Sequence, residues 1–141
     1  MRKIKFPKTL VPSPLPAAPE ISPAEWKVME VIWAAPPQSA AAIQTKLTGQ
    51  DDWALATINT MLRRLTAKQA LRVEKQGREH WYFPLTSRGT CVLQESRSLV
   101  DRLFRGRLAP LVAAFLEDES FTEAEVAELR AILAKHPGDQ S

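Results

Sequence analysis

The sequence predicts a mainly α-helical chain with one small β-hairpin: an N-terminal winged helix-turn-helix followed by a three-helix C-terminal dimerisation domain. Three observations carry this. Residues 53–68 place an apolar stripe on one helical face and small residues, hydroxyls, an amide and arginines on the other. Immediately after Lys68 the helical period gives way to alternation around Gly77. Residues 87–136 then return to helical spacing, with more leucine, valine and phenylalanine than three short helices bury by themselves.

Composition bounds the rest. A chain of 141 residues holds about one domain, or a small domain with an accessory segment. With 45% hydrophobic and 25% charged residues it is expected to be globular rather than disordered. The net charge of +3 is unevenly placed. From Ala54 to His80 six basic residues face two acidic ones, while from Ala114 onward seven acidic residues face two basic ones. The middle is therefore expected to meet an anion and the tail something else. Cys91 is the single cysteine, which excludes an intrachain disulfide, fits a reducing cytoplasm, and reads by default as a small apolar filler rather than a redox sensor. The longest apolar runs fall far short of the roughly 20 residues of a membrane span. The basic start, Met1 to Lys8, leads into prolines rather than an apolar stretch, unlike a signal peptide.

Residues 1–20 hold Pro7, Pro12, Pro14, Pro16 and Pro19 and read as a mobile basic arm, either brushing phosphates or merely solvated. Residues 21–86 are expected to form the winged helix. Ser22-Pro23-Ala24-Glu25 is a capping box with proline at the first helical position, and Trp26, Met29, Ile32 and Trp33 follow at helical spacing up to Pro36-Pro37. Ser39 caps a second helix with Ala42, Ile43 and Leu47 inward and Gly49 past its end. In the third helix Ile58, Met61, Leu62 and Leu65 dock, while Ala56, Asn59, Thr60, Arg63 and Ala67 point away, flanked by Thr57 and Arg64. Asp52 is the nearest capping candidate for its start. The outward face suits a DNA major groove, where Asn and Arg bond base edges and Thr and Arg bond phosphates; the alternative is an ordinary solvated face.

Leu71 to Lys75 and His80 to Phe83 read as two strands about a turn at Gln76-Gly77-Arg78-Glu79, stopped by Pro84. Three helices and a basic hairpin are the element order of a winged helix-turn-helix, in which the third helix enters the major groove and the hairpin lies along the backbone. Lys68, Arg72, Lys75 and Arg78 are the accompanying candidate phosphate contacts, against the alternative of a hairpin charged only for solubility. His80 reads as a strand residue. With His136 near a fraying end, the histidines offer no nucleophile and base pair, and no enzyme is expected.

Over residues 87–136, Val92, Ser96, Leu99, Val100, Leu103 and Phe104 share one side of the fourth helix. Leu108, Leu111, Val112, Phe115 and Leu116 follow on a shorter helix that takes Pro110 in its first turn. Phe121 to Val126 combines a capping box with a hydrophobic staple and opens a last helix bearing Val126, Leu129, Ile132 and Leu133, with residues 137–141 as a tail. Pairing with a second copy would bury these stripes and set two reading helices about one DNA turn apart. The competing class is a winged-helix protein-interaction module without sequence-specific DNA binding.

Four pieces in order resemble the BlaI/MecI/CopY penicillinase-repressor family: Ile21 to Trp33, Ala56 to Leu65, Gly77 to Leu85, and Leu99 to Leu133. The resemblance implies a cytoplasmic homodimeric repressor on double-stranded dyad operators ahead of its own operon and of resistance or stress genes. It also implies TACA/TGTA half-sites, with Thr57, Asn59, Thr60 and Arg64 where the reading helix meets DNA. In the penicillinase branch a membrane metalloprotease sensor cuts between an asparagine and a phenylalanine in the dimerisation region; the matching pair here is Ala114-Phe115, so the phenylalanine is kept and the asparagine is not. Where relatives carry a lysine-glycine pair after the third helix, Gln69 follows Lys68, which predicts a slightly different turn. The copper branch carries a cysteine cluster, and one cysteine with two histidines cannot build a thiolate metal site, so no metal or other cofactor is expected.

Overall fold

A computed structural model describes residues 18–136; most of the expected arm and the 137–141 tail lie outside the described residues. The chain runs α1 (Pro23–Ala34), α2 (Ala40–Leu47), α3 (Leu55–Ala67), β1 (Leu71–Gln76), β2 (Glu79–Pro84), α4 (Arg88–Phe104), α5 (Leu108–Glu117) and α6 (Glu123–Lys135). This is the winged-helix order, mostly helical, with one two-stranded antiparallel sheet. Among the described residues no helix is long and apolar enough to cross a membrane.

Two compact units divide between Glu95 and Ser96, inside α4. The expected boundary at residues 86 and 87 marks where α4 begins. The units part later because Cys91, on the second turn of α4, is buried in the first unit's core as a free thiol.

The local chemistry accounts for the helices of the first unit. Ser22 Oγ accepts from the Glu25 amide while the Glu25 carboxylate accepts from the Ser22 amide, closing the box that starts α1. Ser39 Oγ accepts from the Ala42 amide at the start of α2. The whole docking stripe of α3 is buried: Ile58, Met61, Leu62 and Leu65 pack with Val28, Met29, Ile32, Ile43 and Leu47. Each such side chain contributes about 1.5–3 kcal/mol when fully removed from water. All four tryptophans of the chain, Trp26, Trp33, Trp53 and Trp81, belong to this unit.

The hairpin turns within the expected Gln76 to Glu79 segment. Gln76 pairs directly with Glu79, leaving a two-residue loop in which Gly77 takes φ 64 and Arg78 sits at the tip. A glycine in the first loop position is what such turns favour. Gln38 adds a one-residue third rung by exchanging backbone hydrogen bonds with Tyr82, a pairing without sequence period and so not anticipated.

At the end of α3 the Ala70 amide donates to the Leu65 carbonyl and the Gln69 amide to the Thr66 carbonyl, with Gln69 at φ 68. That is a Schellman closure, which favours glycine at the left-handed position. Gln69 thus occupies the left-handed position where glycine is ordinarily found. Holding an ordinary side chain there costs about 1–2 kcal/mol, of which glycine's extra unfolded freedom returns roughly half. Gln69→Gly is thus expected to stabilise the chain by about 0.5–1 kcal/mol, read as a melting-temperature rise of roughly 2–5 °C by circular dichroism.

The second unit is built differently. Thr122 and Glu125 form the expected capping box of α6, Glu119 at φ 58 closes α5, and Phe115 and Phe121 rings lie 5.9 Å apart. Yet α5 and α6 hold no buried residue, and Leu103, Leu108 and Leu133 are 58%, 59% and 61% exposed.

Candidate nucleic-acid interface

The outward side of α3 presents the expected groups. Ala56, Thr57, Arg63, Arg64 and Ala67 are exposed, and Asn59 and Thr60 are half-buried at the flanks. Thr57 to Arg64 spans about 10 Å along the axis, close to the roughly 12 Å width of a major groove. The Thr60 hydroxyl donates to the Ala56 carbonyl at 3.0 Å and accepts from Arg63 Nη2 at 3.3 Å. Its hydroxyl is thereby committed to its own helix, which leaves the methyl as the group it can offer a base. A surface recess of about 350 Å³ beside this face is lined by Ser22, Ala24, Trp53, Thr57, Thr60, Met61 and Arg64.

The start of α3 is positioned without a cap. Ala54 holds the cap position and offers no side-chain bond. Asp52, the expected candidate, instead accepts from the Gly49 amide at 3.0 Å, because its carboxylate closes the turn after α2. Placement comes from α1 and α2. Lys27 Nζ donates to both Asp51 carboxylate oxygens at 2.9 and 3.0 Å and lies 5.9 Å from the centre of the Trp53 ring, whose carbonyl accepts from Gln44 Nε2 at 3.1 Å.

The far end of α3 is tied by Lys68. Its ammonium donates to the Glu25 carboxylate at 2.5 Å and to the Glu20 carbonyl at 2.7 Å. Expected among the phosphate contacts, this cation is engaged within the protein, holding α3 to the start of α1. Glu25 is only 3% exposed. Burial pushes its carboxyl up, but the Lys68 hydrogen bond and charge, with the Ser22 backbone and hydroxyl, hold it below the ordinary carboxylate range.

On the hairpin Arg72 stacks over Phe83, 4.1 Å from the ring centre, and pairs with exposed Glu74. Lys75 stands opposite His80, and both are exposed, as is Arg78 at the tip. Tyr82 roots the wing in the core. Burial pushes its phenol up while the nearby charge of Arg63 pulls it down, and β1 packs directly against α3. Of the expected phosphate contacts, those left facing solvent are therefore Arg63 and Arg64 on α3 and Arg72, Lys75 and Arg78 on the wing. Among the described residues no cluster of three or more His, Cys, Asp or Glu is arranged to hold a metal ion.

Comparison with known proteins shows what the chain is similar to. The family model described as penicillinase repressor matches residues 21–135. The methicillin resistance regulatory protein MecI of Staphylococcus aureus (strain N315) is 34% identical over 116 residues, covering 82% of this chain and 94% of that protein. The penicillinase repressor of Bacillus licheniformis is 36% identical over 118 residues, covering 84% and 92%. Among solved structures, the solution structure of the DNA binding domain of the repressor BlaI is similar at 36% identity and a TM-score of 0.48, covering 54% of this chain and 93% of that one.

Proposed function

The chain belongs to the penicillinase repressor family, a family of DNA-binding repressors rather than enzymes, and from that premise we propose that it represses transcription as a homodimer seated on a two-fold operator. Specificity is assigned to Asn59, Thr60 and Thr57 at base edges. Phosphate contact falls to Arg63, Arg64, Arg72, Lys75 and Arg78, while Lys68 holds α3 in place. The second copy is assigned to the second unit, whose candidate seam runs through Leu99, Val100, Leu103 and Phe104 on α4, Leu111, Val112, Phe115 and Leu116 on α5, and Val126, Leu129, Ile132 and Leu133 on α6.

The observation that carries this reading is the contrast between the two units. In the first, the apolar stripe of α3 is buried and its polar face is left open. In the second, no residue of α5 or α6 is buried in a single chain. An unsatisfied apolar surface of this kind marks an interface, and a closed two-fold dimer satisfies it without leaving further edges. Release is assigned to cleavage between Ala114 and Phe115 by a membrane metalloprotease sensor; both residues are exposed on α5 in the single chain.

The test combines sedimentation with salt-dependent DNA titration. A dimer at micromolar concentration and a two-fold footprint upstream of the operon are the expected results, and a lone subunit or an unprotected promoter overturns the reading. Binding that ignores salt would favour the protein-interaction module. Two substitutions check the division of labour. Arg64→Ala is expected to weaken operator and random duplex alike by about fivefold and to lower the salt slope by about one. Asn59→Ala is expected to weaken the operator about tenfold while leaving random duplex within about twofold. Equal losses on both duplexes for both variants contradict the assignment.

A further inference from the structure

The outer face of α1 carries Trp26, Glu30 and Trp33 at intervals of four and three residues, one row along the helix. None belongs to the reading machinery. The Trp26 and Trp33 rings meet edge to face, 5.3 Å between centres at 71°. Trp26 Nε1 donates to Glu30 Oε2 at 3.0 Å. Arg88, the first residue of α4, grips the same carboxylate with a fork: Nε donates to Oε1 at 2.9 Å and Nη2 to Oε2 at 3.1 Å. One turn further along α1, Trp33 Nε1 donates to the Thr86 carbonyl at 2.8 Å, immediately before α4. Cys91 on the second turn of α4 is buried in the core.

The first two turns of α4 are thus held at three separate places within the first unit. The Glu30–Arg88 fork lies on the surface, while Trp33 packs against the edge of the core and Cys91 is buried in it. Glu30 and Arg88 are both solvent-accessible, so their removal opens no cavity, and exposed ion pairs add little to stability. A planar two-point fork anchored by an indole does, however, specify an angle. Glu30's carboxyl is held down chiefly by the Arg88 hydrogen bond, as the geometry requires.

We propose that Glu30, Arg88 and Trp33 are positioning residues that set the direction in which α4 leaves the DNA-binding unit, and thereby the spacing between operator half-sites that the dimer accepts. The proposal rests on the dimeric reading above. Turning one head relative to its partner costs DNA deformation or lost contacts, so a rigid root makes the protein selective for spacing and a loose one makes it tolerant.

The experiment uses the full chain and duplexes bearing inverted TACA/TGTA half-sites, with the spacer lengthened or shortened by two base pairs, beside a single half-site. The wild type is expected to prefer one spacing by about tenfold. In Arg88→Met and in Trp33→Phe that preference falls below about threefold, while affinity for the single half-site stays within about twofold. A variant that keeps the tenfold preference overturns the proposal and leaves the dimeric reading intact. A variant that loses half-site affinity in equal measure also overturns it, since that is the mark of a phosphate contact or a damaged fold. A wild type that binds every dyad no better than a half-site sinks the dimeric reading, and the proposal with it.

Discussion

Leu103→Asp combined with Leu133→Asp is expected to convert the proposed dimer into a monomer and to weaken binding to a two-half-site operator by about a hundredfold or more, with single half-site affinity within about threefold. These two side chains are 58% and 61% exposed in one chain, so a carboxylate at either position removes little packing from the subunit itself. Burying two uncompensated charges per copy at an interface is a different matter, because each must be stripped of water without a partner. The surrounding sequence adds repulsion, since seven acidic residues follow Ala114 against two basic ones. Once the copies separate, the second half-site is no longer engaged at a high effective concentration, and the avidity it supplied is lost. Sedimentation velocity and gel shift read the two effects independently. A variant that stays dimeric shows that the seam runs elsewhere.

The second large effect concerns Lys68. Lys68→Met is expected to destabilise the first unit by about 2–3 kcal/mol near neutral pH, because it leaves the buried Glu25 carboxylate without its countercharge. The dependence on pH weakens with it. In the wild type the Glu25 carboxyl titrates below its ordinary value, so its contribution is present above that value and disappears as pH falls through the folded pKa. Without Lys68, burial still pushes the carboxyl up while only the Ser22 backbone and hydroxyl hydrogen bonds hold it down, so the depression shrinks. The variant is therefore expected to lose less stability than the wild type as pH falls through the carboxylate range. Glu25→Gln in the same background is expected to restore much of the loss at neutral pH by removing the stranded charge. Denaturant midpoints at pH 4 and pH 7 separate these outcomes, and a Lys68→Met midpoint equal to that of the wild type at both would refute the argument.

The elements governed by short-range periodicity were legible in the sequence. The buried face of α3 follows from a 3.6-residue repeat, the hairpin from the switch to alternation around Gly77, and α1 and α6 from capping boxes whose partners stand three residues apart. What escaped notice joins residues far apart in the chain. Lys68 reaches Glu25 across 43 positions and Arg88 reaches Glu30 across 58, and no local pattern announces such pairs. Lys68 reads as one more cation in a basic stretch until Glu25, already occupied as a cap, proves to be buried beside it. The start of α3 departs from its local sequence signal for a related reason. Asp52 has the right chemistry for a cap but sits two residues too early, and the tripod of Lys27, Asp51 and Trp53 that replaces it draws on α1. The solvent-facing basic groups were legible individually, whereas their division into those that face outward and the one that braces the fold required the packed structure.

The confinement of every indole to the first unit has a practical outcome for spectroscopy. Intrinsic emission is blind to α5 and α6, whereas far-ultraviolet ellipticity registers helices throughout. Heating or denaturant titration followed by both signals therefore tests whether the two units melt together. If they do not, the transition seen only in ellipticity is the one that shifts with protein concentration, as expected where subunit association sustains the fold.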